Sequence, residues 1–245
     1  MKGADLVVCS VSGGKDSVAM LHAVKRAIAG AIPLYAIHAA IDGFAWPDGV
    51  ETVQSQSRSV GVPCMIVRST KGFLERVRER REWPMGQYRW CTSDHKRTPL
   101  NTAVRRLAAR YEAHKVVVSI GERSAESESR ARKASVIANK SLTTKTRTVT
   151  TVRPIQQWSD ADVWRYVAIH QLPLPRSYKL GFKRHGCPYC IYADKHQRGL
   201  ADNLAELEPI RCAIRSLEAE IGHVLFYDTG VPVNEAAGQL ALFTE

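Results

Sequence analysis

The chain contains no apolar run approaching the roughly 18 residues of a membrane-spanning helix. It also lacks the plan of a secretion signal, because Met1 to Ser12 reads as a core strand running into a loop. No internal repeat and no low-complexity tract is present, which excludes solenoids and disordered arrays. Cysteine is sparse, six in 245 residues. With no leader in view, these six read as cytoplasmic thiols or metal ligands rather than disulfides. A hydrophobic share of 44% fits a globular chain with a real core. The length suits one sizeable domain with an appendage.

What is abundant is positive charge, and it is unevenly spread. The formal net charge is +11. Residues 199–245 carry two Lys/Arg against eight Asp/Glu, so residues 1–198 hold 33 cations against 16 acids. A basic body with an acidic end points to a polyanionic partner, nucleic acid first. The plainer alternative is an enzyme needing some cations, with the rest on a solvated surface.

Apolar runs alternate with helical patterns. Strands are predicted over Asp5–Val11, Pro33–His38, Pro63–Val67 and Lys115–Ile120, and helices over Ser17–Ala29, Val50–Val60 and Thr98–Tyr111. Near-continuous apolar strands between helices predict an α/β fold with a doubly wound, mostly parallel sheet. Ligands in such sheets sit at the carboxyl ends of strands, where loops 10–17, 38–46 and 121–131 fall. Residues 69–97 interrupt the alternation and read as an inserted arm. Residues 139–152 read as a loop leading into a strand, and Ser159 as the cap of a short helix through Tyr166. Pro173 and Pro175 break the chain. They place a boundary near residue 175, between a nucleotide-binding domain (1–175) and a Cys-containing helical region (176–245).

The segment CSVSGGKDS ends the first strand and opens a helix. Gly13 and Gly14 let backbone N–H groups converge on an anion, and the helix N-terminus adds its dipole. Lys15 and the hydroxyls of Ser10, Ser12 and Ser17 add donors. The Walker spacing GxxxxGK[ST] is absent. An ordinary strand–helix turn is the competing reading.

SGGKDS resembles the signature of the PP-loop ATP pyrophosphatases, and the fold that resemblance implies is that of the adenine nucleotide alpha hydrolases. Four further segments stand in the order of its phosphoadenosine-phosphosulfate-reductase-like branch: RWCTSDHKRTPL (89–100), GERSAESESRA (121–131), RPIQQWSDADVW (153–164) and GFKRHGCPYC (181–190). The similarity spans residue 5 to about 220. It implies cleavage of ATP between the α- and β-phosphates, with Asp16 helping to hold Mg²⁺ and Lys15 stabilising the leaving pyrophosphate. Gly121, Arg123, Glu126, Ser127 and Arg130 match GxRxxES…R. Arg123 and Arg130 can fork onto phosphate, unless the segment is a solvated charged loop. His38 and Asp42 fall where the family contacts adenosine, a looser match. True phosphosulfate reductases typically lose the GGKD core and use a C-terminal cysteine. This chain keeps the core and ends QLALFTE.

Cys187 and Cys190 have ligand spacing, and Cys91 matches a family position where a Cys-Cys pair is usual. Trp90 takes the place of the first of that pair, and Cys212 is the available substitute. An iron–sulfur cluster, of the 4Fe–4S type, on Cys91, Cys187 and Cys190, with Cys212 or an open iron as the fourth site, competes with zinc on the same residues and His185, and with free thiols. Cys9 and Cys64 read as packed core thiols.

The resemblance is closest to the ATP pyrophosphatase component of DNA phosphorothioation systems. It implies adenylylation of a nucleic acid, DNA before tRNA, followed by sulfur insertion with a cysteine desulfurase as donor. A sulfonucleotide reductase, a tRNA thiolase, and a nucleotide-binding regulatory module without catalysis are the alternatives. Trp83, Tyr88 and Trp90 lie among Arg76, Arg78, Arg80, Arg81, Arg89, Lys96 and Arg97, with Arg105 and Arg106 on the following helix. This mixture reads as a nucleic-acid groove, or as rings packing the arm onto the core under solvated arginines.

Overall fold

The computed structural model describes residues 3–28, 30 and 32–226. Helix α1 (Lys15–Ile28) follows strand β1 (Leu6–Ser10), and β2 (Leu34–Ala39) leads to α2 (Gly49–Val60) and β3 (Cys64–Val67). The inserted arm contains α3 (Phe73–Arg80). A short α4 (Trp90–Thr92) then passes through a π turn at Ser93–Arg97 into α5 (Thr98–Arg110). Strand β4 (Lys115–Ile120), α6 (Glu128–Ala131), β5 (Val136–Ala138) and β6 (Thr148–Val152) precede α7 (Asp160–Ile169). Helices α8 (Lys195–Asp202) and α9 (Glu208–Ile221) complete the described chain.

The six strands form one sheet in the order β3-β2-β1-β4-β6-β5, parallel except for the β5 edge. Strand β1 lies at its centre, with Leu6, Val7, Val8 and Cys9 fully buried because both sheet faces are covered. On one face Val18, Leu21 and Val24 of α1 pack with Val53 of α2 and Val163 of α7. On the other, Val104 and Leu107 of α5 pack against Leu6, Val8 and Ile37. The strand order reverses between β2 and β4, on either side of β1. Loops leaving β1 and β4 therefore splay apart at their carboxyl ends and open a crevice.

The expected strands and helices are found with small shifts. Helix α1 begins two residues early, at Lys15, and the predicted last residue, Ala29, lies outside the described residues, as do residues 227–245 of the C-terminal region. Strand β6 emerges from the 139–152 loop. Strand β5 carried no pattern to read, being three residues with every side chain exposed.

A third core joins Phe44, Trp46 and Phe73 to Tyr189, Leu207 and Ile214. Trp83 and Trp90 belong to it, at 1% and 4% exposure, and the Phe73 and Trp90 rings stack at 5.4 Å. The expectation that these two indoles face a partner is corrected here: their large apolar area is held in the core. Tyr88 alone of the three is exposed. No described helix is long and apolar enough to cross a membrane.

Candidate nucleotide-phosphate site

Strand β1 makes its last sheet bond from Val11 N–H to Ile37 O, 2.9 Å. The chain then turns through Ser12, Gly13 and Gly14, with Gly13 at φ +86°. The N–H groups of these three residues have no acceptor among the described residues, although Gly13 and Gly14 are buried. Buried backbone donors are nearly always paired, and unpaired N–H groups in a turn of this kind can receive an anion. Its carbonyls are tied down instead. Gln56 Nε2 donates to Gly13 O (2.8 Å) and to Pro173 O (3.0 Å). Ser17 Oγ donates to Gly14 O at 2.8 Å. The Lys15 N–H donates to the Tyr178 hydroxyl at 3.1 Å.

Two cations and two carboxylates interlock at the mouth of the loop. Lys15 Nζ lies 3.0 Å from Asp16 Oδ2 and 2.9 Å from Asp160 Oδ1. Arg123 donates through Nε to Asp16 Oδ1, and through Nη2 to Asp160 Oδ1 at 2.9 Å. A third donation, from Nη1 to Trp158 O at 3.3 Å, fixes the guanidinium plane. Burial opposes the Lys15 charge, but its bonds to Asp160 and Asp16 outweigh that and hold its pKa above the ordinary value. The hydrogen bond from Lys15 in turn lowers the Asp160 carboxyl. Gly121, where β4 ends, passes so close to α1 that a Cβ there would lie 3.0 Å from Asp16 O. Lys15 and Asp160 line a cleft of about 510 Å³ together with Trp164, Tyr178 and Lys183.

The other expected residues stand further out. Ser10 ends β1 half-buried, and Ser12 is exposed on the loop. His38 donates Nδ1–H to Val11 O at 2.9 Å, and burial lowers its pKa. Asp42 is exposed and paired with Arg68. Glu126 Oε2 accepts the Arg123 N–H at 2.8 Å, and Ser127 Oγ accepts the Arg130 N–H at 3.3 Å, so both hold the turn into α6. Arg123 and Arg130, expected to fork onto phosphate or a second anion, are engaged separately, Arg123 by Asp16 and Asp160 and Arg130 within its own turn. Arg130 is engaged by Glu126 and faces Glu122 at 3.9 Å, so its charge is taken up within its own turn.

Three residues were not visible as site residues in the sequence, Gln56, Asp160 and Tyr178, and His185, read there only as a further zinc ligand, lies against the glycine turn. Asp160 lies inside the quoted WSDADVW segment, but the local pattern there marks only a helix start. His185 packs against Gly13, where a Cβ would lie 2.9 Å from Nε2. Its ring is parallel to Trp46 (6.3 Å between centroids, 16°), and Nδ1 is 3.0 Å from Ser177 Oγ. Burial drives its pKa down to about 4.

Cys91, Cys187 and Cys190 share one neighbourhood. Burial pushes Cys187 up to about 11, and Lys96 pulls both it and Cys91 the other way. Three soft thiols suit iron–sulfur or zinc chemistry. As they stand, no three His, Cys, Asp or Glu among the described residues are grouped closely enough to hold a metal ion. Cys212 is exposed on α9 and donates to Glu208 Oε1 at 3.2 Å. Its expected place beside the other three is therefore corrected. Cys9 is fully buried in β1, with its thiol pushed up to about 12, and Cys64 is half-buried.

A mostly parallel sheet with a glycine loop at its switch point defines an α/β protein with a crevice at the carboxyl ends of its central strands. The chain belongs to the phosphoadenosine phosphosulfate reductase domain family, whose model matches residues 6–193. No curated protein matches it. Among solved structures, a phosphoadenylyl-sulfate reductase from Candida auris in a phosphate complex is similar at 16% identity and a TM-score of 0.49, over 75% of this chain and 82% of that one. A U34-tRNA thiolase from Methanococcus maripaludis, solved with its 4Fe–4S cluster, is 17% identical at a TM-score of 0.48, over 96% and 80%. An NH3-dependent NAD synthetase from Campylobacter jejuni is 13% identical at 0.41, over 98% and 87%.

Proposed function

We propose that this chain is an ATP pyrophosphatase that adenylylates a nucleic acid, DNA before tRNA, for sulfur insertion. The observation that carries the reading is the buried Gly13–Gly14 turn, whose N–H groups have no acceptor among the described residues and which leads directly into Lys15, paired with Asp16 and Asp160. In this reading the turn takes the β- and γ-phosphates. A backbone oxygen of the target attacks the α-phosphorus, the bond to the β-phosphate oxygen breaks, and pyrophosphate leaves. Lys15 and Arg123 stabilise the charge growing on that leaving group. Asp16 and Asp160 present hard oxygens suited to Mg²⁺, which would neutralise more of it when bound. A sulfur nucleophile, ultimately from a cysteine desulfurase, then displaces adenylate. Cys91, Cys187 and Cys190 are the residues that would hold an iron–sulfur cluster, and the adenylylation step does not depend on it.

The family match favours a second reading, a sulfonucleotide reductase acting on a small molecule, while tRNA thiolation would use the first chemistry on a base carbonyl. A pyrophosphate-release assay with ATP separates the classes. Release that depends on added DNA or tRNA supports the proposal. Reduction of a sulfonucleotide without pyrophosphate release overturns it.

A further inference from the structure

We propose that His185 supplies a side-chain hydrogen-bond donor to the anion held by the Gly13–Gly14 turn. The inference rests on the reading above, that this turn holds the pyrophosphate portion of ATP. Its ring sits directly on the turn, with Nε2 and Cδ2 filling the space a side chain at Gly13 would take, at 2.9 and 3.0 Å.

The tautomer follows from the hydrogen bonds around the ring. Ser177 is 1% exposed, and among the described residues its hydroxyl has one partner, His185 Nδ1 at 3.0 Å. If Nδ1 carried the hydrogen of a neutral ring, the Ser177 hydroxyl hydrogen would be buried without an acceptor, which costs free energy. The hydroxyl therefore donates to Nδ1, and Nε2 carries the ring hydrogen. A doubly protonated ring would carry a hydrogen there as well. Nε2 has no hydrogen-bond partner among the described residues and is not among the buried orphaned atoms, so it is open to a ligand.

The ring is also rigidly seated. Trp46 lies parallel to it, and Tyr178, which accepts the Lys15 N–H, is also approached by the His185 backbone N–H. One segment, 177–185, thus braces the turn from outside the sheet and brings a donor to it. A donor held in place loses little freedom on binding, which favours affinity for the anion.

The test is calorimetric titration of the full chain with magnesium pyrophosphate and, separately, with AMP. His185→Phe keeps a ring against Trp46 and Gly13 but removes the donor. We expect pyrophosphate binding about ten- to a hundred-fold weaker in H185F, with AMP binding unchanged. Equal pyrophosphate affinity in H185F and the parent overturns the proposal while leaving the ATP reading standing. A parent chain that does not bind pyrophosphate overturns both. Nitrogen-15 histidine spectra of the parent, with the His185 resonance assigned by sequential backbone-to-side-chain correlation, report the tautomer directly. A hydrogen found on Nδ1 of a neutral ring sinks the proposal even if H185F folds poorly.

Discussion

Lys15 Nζ lies 2.9 Å from Asp160 Oδ1, although one residue opens α1 and the other opens α7, near opposite ends of the family-matched segment. The contact closes a quartet in which each of the two carboxylates touches both cations. Lys15 and Arg123 are thereby neutralised and oriented. A polyphosphate entering the turn meets them already aimed, so little reorganisation is needed at the moment of reaction.

Asp160 should therefore matter to the chemistry as much as the loop itself. Asp160→Asn keeps the shape but leaves Lys15 and Arg123 with one shared carboxylate, Asp16, instead of two. Pyrophosphate release is expected to fall about 10²-fold, and about 10²–10³-fold in Lys15→Ala. Steady-state rates with ATP, alongside far-ultraviolet circular dichroism to confirm folding, decide the matter. Parent-like turnover in either variant would remove the quartet from the mechanism.

Gly121→Ala tests the close approach of β4 to α1. The added Cβ would meet backbone, Asp16 O at 3.0 Å and Ser17 Cα at 3.3 Å, and neither can rotate away. Overpacking of this kind costs about 1–3 kcal/mol. Urea unfolding should show that loss, and ATP turnover should fall as Asp16 is displaced from Arg123. An unchanged midpoint would mean that β4 and α1 can move apart at no cost.

The fold was largely legible because a buried parallel strand announces itself. Leu6–Cys9 and Val116–Val118 are continuous apolar runs bounded by turn residues. The loop SGGKDS was legible for a related reason, since its function is carried by backbone N–H groups that only such a turn frees. Side chains reaching the site from distant segments were not legible. Nothing local in Gln56, Tyr178 or His185 records that each touches the Gly13–Lys15 turn, because those contacts exist only after residues 173–185 fold back across the sheet. Arg130 misled for the opposite reason. Its motif spacing is right, but Glu126 four residues earlier takes its charge.

Acid should loosen the protein. Burial depresses the pKa of His22, His38, His95 and His185, the last to about 4. Unfolded histidines titrate near 6.5, so the unfolded chain binds protons that the folded chain resists. Stability is complete above about pH 6.5 and is lost as pH falls toward the folded values. For His185 alone the loss between pH 6.5 and 4 is of order 3 kcal/mol. Thermal midpoints measured from pH 7.5 to 5 should fall steadily, and a flat profile would contradict the buried, neutral state of these rings.

The cysteine neighbourhood predicts a coloured protein. Anaerobically purified chain should absorb broadly in the visible and carry about four irons if the site is a cubane. Cys91→Ser, Cys187→Ser and Cys190→Ser should each bleach it, whereas Cys212→Ser should not, because that thiol lies exposed against Glu208. Colourless protein with stoichiometric zinc would replace iron with zinc on the same residues. Protein with neither metal would leave three free thiols.

The last prediction concerns which cations meet a nucleic acid. Arginines of the inserted arm are largely engaged within the chain. Arg78 donates to both carboxylate oxygens of Glu220, at 2.7 and 2.9 Å, and Arg80 pairs with Asp94 at 3.0 Å beside the Trp90 ring. Reversing them would oppose Glu220 of α9 and Asp94 of the π turn, so weaker binding could not be told from disturbed packing. Helix α5 differs. It carries no acid, and Arg105, Arg106 and Arg110 are exposed on its outer face. Arg106 and Arg110 make no ion pair among the described residues, and Arg105 reaches only the Ser141 carbonyl, at 3.2 Å. A polyanion can take these cations without breaking an existing pair. The triple variant Arg105→Glu, Arg106→Glu, Arg110→Glu should bind duplex DNA and tRNA more weakly, with thermal stability close to the parent's. Each phosphate that the variant no longer neutralises should also flatten the log–log salt dependence by about 0.9 on duplex DNA. Fluorescence-anisotropy titrations at several salt concentrations measure both quantities. Unchanged affinity and slope would move the nucleic-acid surface off α5, and no binding by the parent at low salt would leave the small-molecule reductase reading in its place.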